Sequence, residues 1–351
     1  MKYLLKFIVF FGLSAILEAQ TISDKEIANM FILGFEGKDV SKKSLVYHEV
    51  CKQGLGGVIL FKKNIGSIAS LRQMTHTLKT CNKNHLPLIA VDQEGGRVQR
   101  IRFSGQYPRA SSLSEGSATN VFDKMASELA RLGINYNLAP VADLDYSYNG
   151  VIHGNGRSYG HDPKKVARFD RLFIAAMHHH RILTALKHFP GHGSSKGDTH
   201  QGFVDVSKYW DDREIDPYKI LIRDRRIRVD SIMVAHIVCD YITGDKPASL
   251  SYGAIHEIIR KRLKFRGVTI TDDLQMRAIS KQYSLKQTIM LAINAGNDLL
   301  LFGNQLSRKN KVNVTTLIRK VRELLREGKI KKNLIKNANK HINRMKRVLE
   351  R

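Results

Sequence analysis

A chain of 351 residues that is 42% hydrophobic can hold one large domain, and single barrels of this length are ordinary. Its 58 basic and 32 acidic side chains leave a formal charge of +26, which suits an anionic partner. The basic residues are dispersed and no nucleic-acid-binding motif is present, so nucleic acid is excluded and the charge reads as solvated faces.

In chain order, Lys2 and Lys6 precede an apolar run from Phe7 to Leu17, followed by Glu18, Ala19 and Gln20. That run is too short for a relaxed membrane span, which needs about 20 residues. A charged start, a short apolar centre and a nearby Ala fit an export signal over residues 1–20, either cleaved or kept as an anchor. No Cys follows the run, which argues against a lipid-anchored form.

The domain proper is assigned to residues 21–351. Ser23 and Glu26 form a capping box ahead of Ile27, Met30 and Phe31, which predicts a helix there. Apolar runs of strand length then recur at Gly57–Phe61, Leu88–Val91, Asn137–Val141, Leu183–Leu186, Ile232–Ala235, Val268–Thr271 and Leu299–Phe302. Amphipathic stretches such as Phe122–Leu132 and Tyr252–Leu263 lie between them. Short, near-continuously apolar strands imply a parallel sheet with helical crossovers. Their number points to an α/β fold of the (β/α)8 barrel type.

Several runs end in polar residues: Asp92, Asp143, Lys187-His188, His236 and Asp272. The C-terminal ends of barrel strands converge on one face, so these residues are expected to line one pocket. Past Val312 the chain is rich in Lys and Arg. Leu317, Val321, Leu324 and Leu325, then Leu334, Ala338, Ile342 and Met345, recur there at helical spacing on either side of Gly328. These two helices are expected to pack on the barrel exterior with their charges in solvent. The alternative is peripheral contact with an anionic wall or membrane surface. Cys51, Cys81 and Cys239 make an odd count; no pairing can be chosen, and all three are read as buried thiols.

Three segments carry the chemistry. The first runs from Lys187 through His188, Phe189, Pro190, Gly191, His192 and Gly193 to Gly197, Asp198, Thr199 and His200. Its Pro and Gly residues make an irregular loop, and Asp198 stands two places from His200, close enough for a carboxylate to orient an imidazole. In the second, Gly267 to Met276, a β-branched run leads into Asp272 and Asp273. Adjacent strand residues point to opposite faces, so one carboxylate can face a pocket while the other braces the next helix. In the third, Val91 to Arg100, a strand ends at Asp92, Gly95-Gly96 turns the backbone, and Arg97 and Arg100 can bind or brace carboxylates. The paired glycines match neither a dinucleotide nor a phosphate-loop pattern. His178, His179 and His180 follow one another on a helix and point around it, so they are read as a surface cluster, with no metal and no cofactor required.

Together these motifs resemble the β-N-acetylglucosaminidases of glycoside hydrolase family 3, in their short single-barrel bacterial form. Gly57 to Asn64, Gly156 to Gly160, Met233 to His236 with Pro247 to Ser251, and Ala295 to Asp298 complete the match, in family order across residues 25–305. The resemblance implies that Asp272 is the catalytic nucleophile, His200 the general acid/base and Asp198 its dyad partner. It further implies that Asp92, Arg100, Arg157, Lys187 and His188 hold the N-acetylglucosamine ring.

The chemistry is consistent with those roles. A retaining glycosidase needs a carboxylate to trap the oxocarbenium-like centre and an acid to protonate the leaving oxygen. Imidazole titrates near neutrality and can do the second task, then reverse it. Gly193 and Gly197 would let the loop swing in and exclude water. The expected activity is retaining hydrolysis of terminal β-linked N-acetylglucosamine from peptidoglycan fragments, by an exported, periplasmic monomer. Phosphorolysis at the same site and an inactive glycan-binding protein are the alternatives.

Overall fold

The computed structural model describes residues 22–306 and 310–350, so the signal-like segment lies outside the described residues. Eight parallel strands form the core sheet: β1 (Phe31–Gly34), β2 (Gly57–Leu60), β3 (Leu88–Val91), β4 (Tyr136–Asn137), β5 (Leu183–Phe189), β6 (Ser231–Val234), β7 (Val268–Thr271) and β8 (Leu300–Phe302). Each pairs with its sequence neighbour, and β8 returns to β1. The ring closes between β7 and β8 through the Ile270–Leu299 bridge and a 3.0 Å bond from the Thr271 N–H to the Leu299 carbonyl. Every residue of these strands is buried, as continuous Val, Ile, Leu and Phe runs require when helices cover one face and the barrel interior the other. At the seam between β1 and β8 the backbones approach so closely that a Cβ on Gly34 would sit 1.8 Å from the Gly303 carbonyl oxygen. Only glycine fits there.

The first strand is the main departure from the sequence reading. The capping box on Ser23 forms, with Glu26 closing it, but the helix spans only Asp24–Ala28. Met30 then lies in a turn and Phe31 opens β1 instead of extending the helix, because the barrel needs an eighth strand between β2 and β8. The run Asn137–Val141 is likewise shorter as a regular strand, since Pro140 has no N–H to give. Its carbonyls still accept from β5: Ala139 from the Ala185 N–H at 3.0 Å and Pro140 from the Lys187 N–H at 3.1 Å. The stretch Tyr252–Leu263 winds as a π-helix over Gly253–Arg262.

One of the two C-terminal helices also differs from expectation. The second, Lys332–Lys346, does not lie on the barrel exterior; it crosses the end where the strands begin. Ile335, Ala338, Ile342 and Met345 are buried against that end. Burial of each large apolar side chain contributes about 1.5–3 kcal/mol. His341 pairs with Asp298 ahead of β8 at 2.9 Å, and Lys346 donates to Asn29 Oδ1 at 2.8 Å and to the Gly56 carbonyl at 2.9 Å, ahead of β1 and β2. The helix therefore plugs one end of the barrel and leaves the other for the site.

Cys51, at the end of the helix Leu45–Cys51, is joined to Cys81, at the cap of the helix Ile68–Thr80. The expectation of free thiols is thus corrected for these two, while Cys239 is a buried free thiol. No helix among the described residues is long and apolar enough to cross a membrane.

Candidate active site

Beyond β3 the chain makes a small hairpin (Gln93–Gly95 with Val98–Gln99) that presents Asp92 and Glu94 on one side, as alternate residues of an extended chain must. Lys187, at the end of β5, sends its Nζ between them, 3.0 Å from Asp92 Oδ1 and 2.7 Å from Glu94 Oε1. Arg157 grips Glu94 with two bonds of 2.8 Å, and Arg100 reaches Asp92 Oδ2 at 3.4 Å. Burial pushes both carboxyls up, but these cations outweigh it and hold them below the usual carboxylate range. Burial likewise pushes Lys187 down, and the two carboxylates reverse the effect and keep it charged. A buried charge survives only when paired in this way.

The end of β5 is fixed from below by Asp143, which is fully buried. Its Oδ1 accepts from the backbone N–H groups of His188 (3.1 Å) and His192 (2.8 Å), and its Oδ2 lies 2.7 Å from His188 Nδ1. His188 Nε2 is thereby turned toward Arg157 Nη2, 3.3 Å away. Asn149 donates to the carbonyls of His192 and Gly193 at 2.7 and 2.8 Å. Past this clamped stem the loop carries Asp198 and His200, joined at 2.9 Å between Oδ1 and Nδ1. Partial burial pushes Asp198 up, yet the backbone N–H and ring of His200 prevail and lower it. The His200 side chain is 60% exposed.

At the end of β7, Asp272 and Asp273 divide as adjacent strand residues should. Asp273 turns away, its Oδ1 accepting from the N–H groups of Gln275 and Gly303 at 3.0 Å each, so it braces the next turn and the exit of β8. Burial pushes its carboxyl up to about 6. Asp272 faces the pocket, its Oδ1 accepting only the Asp273 N–H at 2.8 Å. Burial opposes its ionisation, but His236, His188 and His200 outweigh that and hold it at about 2. His236 is itself buried below it, bonded to Ser249 Oγ at 2.7 Å and the Asp273 carbonyl at 2.9 Å.

A cavity of about 350 Å³ at this end is lined by Asp92, Glu94, Arg97, Arg100, Arg157, His188, His192, Asp198, Thr199, His200 and Asp272 among others. The structure so brings together all eight residues singled out from sequence, with one change of emphasis. Lys187 stands behind the cavity wall and charges it through Asp92 and Glu94. Glu94 was missed, although its spacing from Asp92 was the available signal. Asp123, His179 and His180 converge with their donor atoms within 4.8 Å of one another, because the helix stops at His179 and His180 turns out of it. None of the three lines the cavity. Inside a wall of hydrogen-bonding charges, a carboxylate held ionised can attack a polar, polyhydroxylated substrate, and the imidazole of a His–Asp pair can protonate it.

Residues 22–345 match the glycosyl hydrolase family 3 N-terminal domain. A β-hexosaminidase of Xanthomonas oryzae is 30% identical over 285 residues, covering 78% of this chain and 83% of its own. One from Photobacterium profundum is 32% identical over 280 residues, covering 78% and 80%. Among solved structures, a family 3 β-N-acetylglucosaminidase from Paenibacillus superposes with a TM-score of 0.85 at 27% identity, over 94% of this chain and 63% of that one. A β-N-acetylhexosaminidase from Beutenbergia cavernae shares the fold alone, with a TM-score of 0.81 at 24% identity over 93% and 99%. The chain belongs to glycosyl hydrolase family 3 and is a glycoside hydrolase.

Proposed function

We propose that this enzyme is a retaining exo-β-N-acetylglucosaminidase in which Asp272 forms a covalent glycosyl intermediate and His200 serves as acid and then base. One observation carries the assignment. Of the carboxylates lining the cavity, Asp92 and Glu94 are held by Lys187, Arg100 and Arg157, and Asp198 by His200. Asp272 alone has no ion pair among the described residues, and it has a free oxygen toward the cavity. It is therefore the nucleophile, and no carboxylic acid is left to protonate the leaving oxygen, so the imidazole of His200 does so. Asp92, Glu94, Arg157 and His188 grip the sugar, fixing its orientation at the reacting carbon. The names of the similar β-hexosaminidases support the N-acetylhexosamine specificity.

The natural substrate is proposed to be peptidoglycan fragments with terminal β-linked N-acetylglucosamine, met in the periplasm by an exported monomer. The Cys51–Cys81 disulfide supports export, since such bonds persist in oxidising compartments. The basic surface favours contact with anionic wall material. Release of N-acetylglucosamine from a chromogenic β-glycoside, and its abolition in Asp272→Asn, tests the activity and separates it from glycan binding alone. A second reading, phosphorolysis, draws on the exposed Arg97 at the cavity rim and on an imidazole base, neither of which repels phosphate. Sugar 1-phosphate as the main product in phosphate buffer would establish it over hydrolysis.

A further inference from the structure

The loop that carries Asp198 and His200 has a third anchor, which the reaction scheme above leaves unused. Glu214 lies in the short helical turn Asp212–Ile215, past the end of the loop, and is completely buried. Its Oε1 accepts the Ser194 N–H at 2.7 Å. The loop backbone also runs directly over the side chain. Gly191 has φ +121°, and a Cβ placed on it would lie 2.3 Å from Glu214 Oε2 and 2.5 Å from Glu214 Cβ. The stem Gly191–Ser194 is thus held on one side by Asp143 and Asn149 and on the other by Glu214.

Glu214 also differs in kind from the paired acids of the cavity. No Lys or Arg answers it, and its Oε2 has no partner among the described residues. A carboxyl in that setting is an acid group kept neutral, not half of an ion pair. Its titratable neighbours are Asp143 and Asp211, with the phenols of Tyr146, Tyr148 and Tyr218. The imidazoles of His188 and His192 answer Asp143. Burial first, and the charge of Asp143 next, push Glu214 up to about 8.

We propose that Glu214 is a positioning residue of the acid/base loop, fixing its stem so that His200 reaches the glycosidic oxygen. The proposal rests on the acid/base reading of His200 given above. When Glu214 ionises, a negative charge appears beside Asp143 with no cation to meet it, and the stem is pushed off its seat.

The test compares glycosides of good and poor leaving group in Glu214→Ala, Glu214→Asp, Glu214→Gln and His200→Ala. Leaving groups that need protonation are the ones that sense a displaced acid. Glu214→Ala is expected to lower kcat/KM for the poor leaving group about tenfold or more relative to the activated one. Glu214→Gln, which keeps a neutral acceptor for Ser194, should restore that ratio. An unchanged ratio in Glu214→Ala overturns the proposal. Should that variant fail to fold, an unchanged ratio in Glu214→Asp, whose carboxyl is one methylene short of the Ser194 N–H, overturns it as well. His200→Ala separates the two readings. Without leaving-group dependence there, the acid role itself falls; dependence there but not in Glu214→Ala removes only the role of Glu214.

Discussion

Two lysines are buried at opposite ends of this barrel, and they end in opposite states. Lys187, at the cavity end, sits between Asp92 and Glu94 and is kept charged above its ordinary range. Lys346, at the plugged end, meets only the side-chain oxygen of Asn29 and the carbonyl of Gly56. Burial there brings it down to about 7. The same desolvation acts on both, so the partners decide. One end stores fixed charge for a polar substrate, and the other is a structural seal that tolerates an amine.

The largest effect is expected where the cavity end does chemistry. Asp272→Asn keeps the shape but loses the nucleophile, and kcat should fall by about 10⁴-fold or more. The melting temperature should hardly move, since Asp272 supports no ion pair. A comparable loss of stability would show that Asp272 belongs to the brace and not to the reaction.

Lys187→Met breaks the comparison itself. It leaves Asp92 and Glu94 buried together with less positive charge than they need, a situation that costs about 3–5 kcal/mol. Denaturant unfolding should show that loss, and activity should disappear with it. If stability holds, the wall is not maintained by charge pairing.

His200→Ala divides the cavity end into its braced and unbraced parts. Its ring is 60% exposed and bonded only to Asp198, so stability should change by less than about 0.5 kcal/mol. Turnover of substrates with poor leaving groups should still fall about 10²–10⁴-fold. A stability loss in step with the rate would mean that the loop is part of the scaffold.

Much of this division could be read from the chain. Strand ends marked by Asp92, His188 and Asp272 converge as a barrel requires, and Asp198 stands beside His200 in sequence as in space. What escaped depends on partners far along the chain. Glu94 acquires its role from Arg157, 63 positions away, and from Lys187. Phe31 continues a helical pattern and becomes strand only because the ring must close through β1. The face of the last helix was evident from its periodicity, but periodicity says that a face is buried and not what covers it. Cys51 and Cys81 pair because two neighbouring barrel helices bring them together, which a separation of 30 residues does not announce.

The plugged end offers the smallest effect and the sharpest sign. Above its ordinary pKa of 10.5 Lys346 is neutral in both folded and unfolded chains, and its burial carries no penalty for charge. Between 10.5 and about 7 the unfolded chain binds a proton that the folded one refuses, so folding stability falls as pH falls through this window. Below about 7 the penalty is complete. Lys346→Met removes the titrating group, at a constant cost for leaving Asn29 and Gly56 without their donor. Urea melts from pH 7 to 10 should therefore show wild type gaining on the variant by up to about 1.4 kcal/mol per pH unit, with kcat unchanged at every pH. Parallel stability profiles would mean that the amine stays protonated through the window, and the contrast with Lys187 would be one of partners without one of charge.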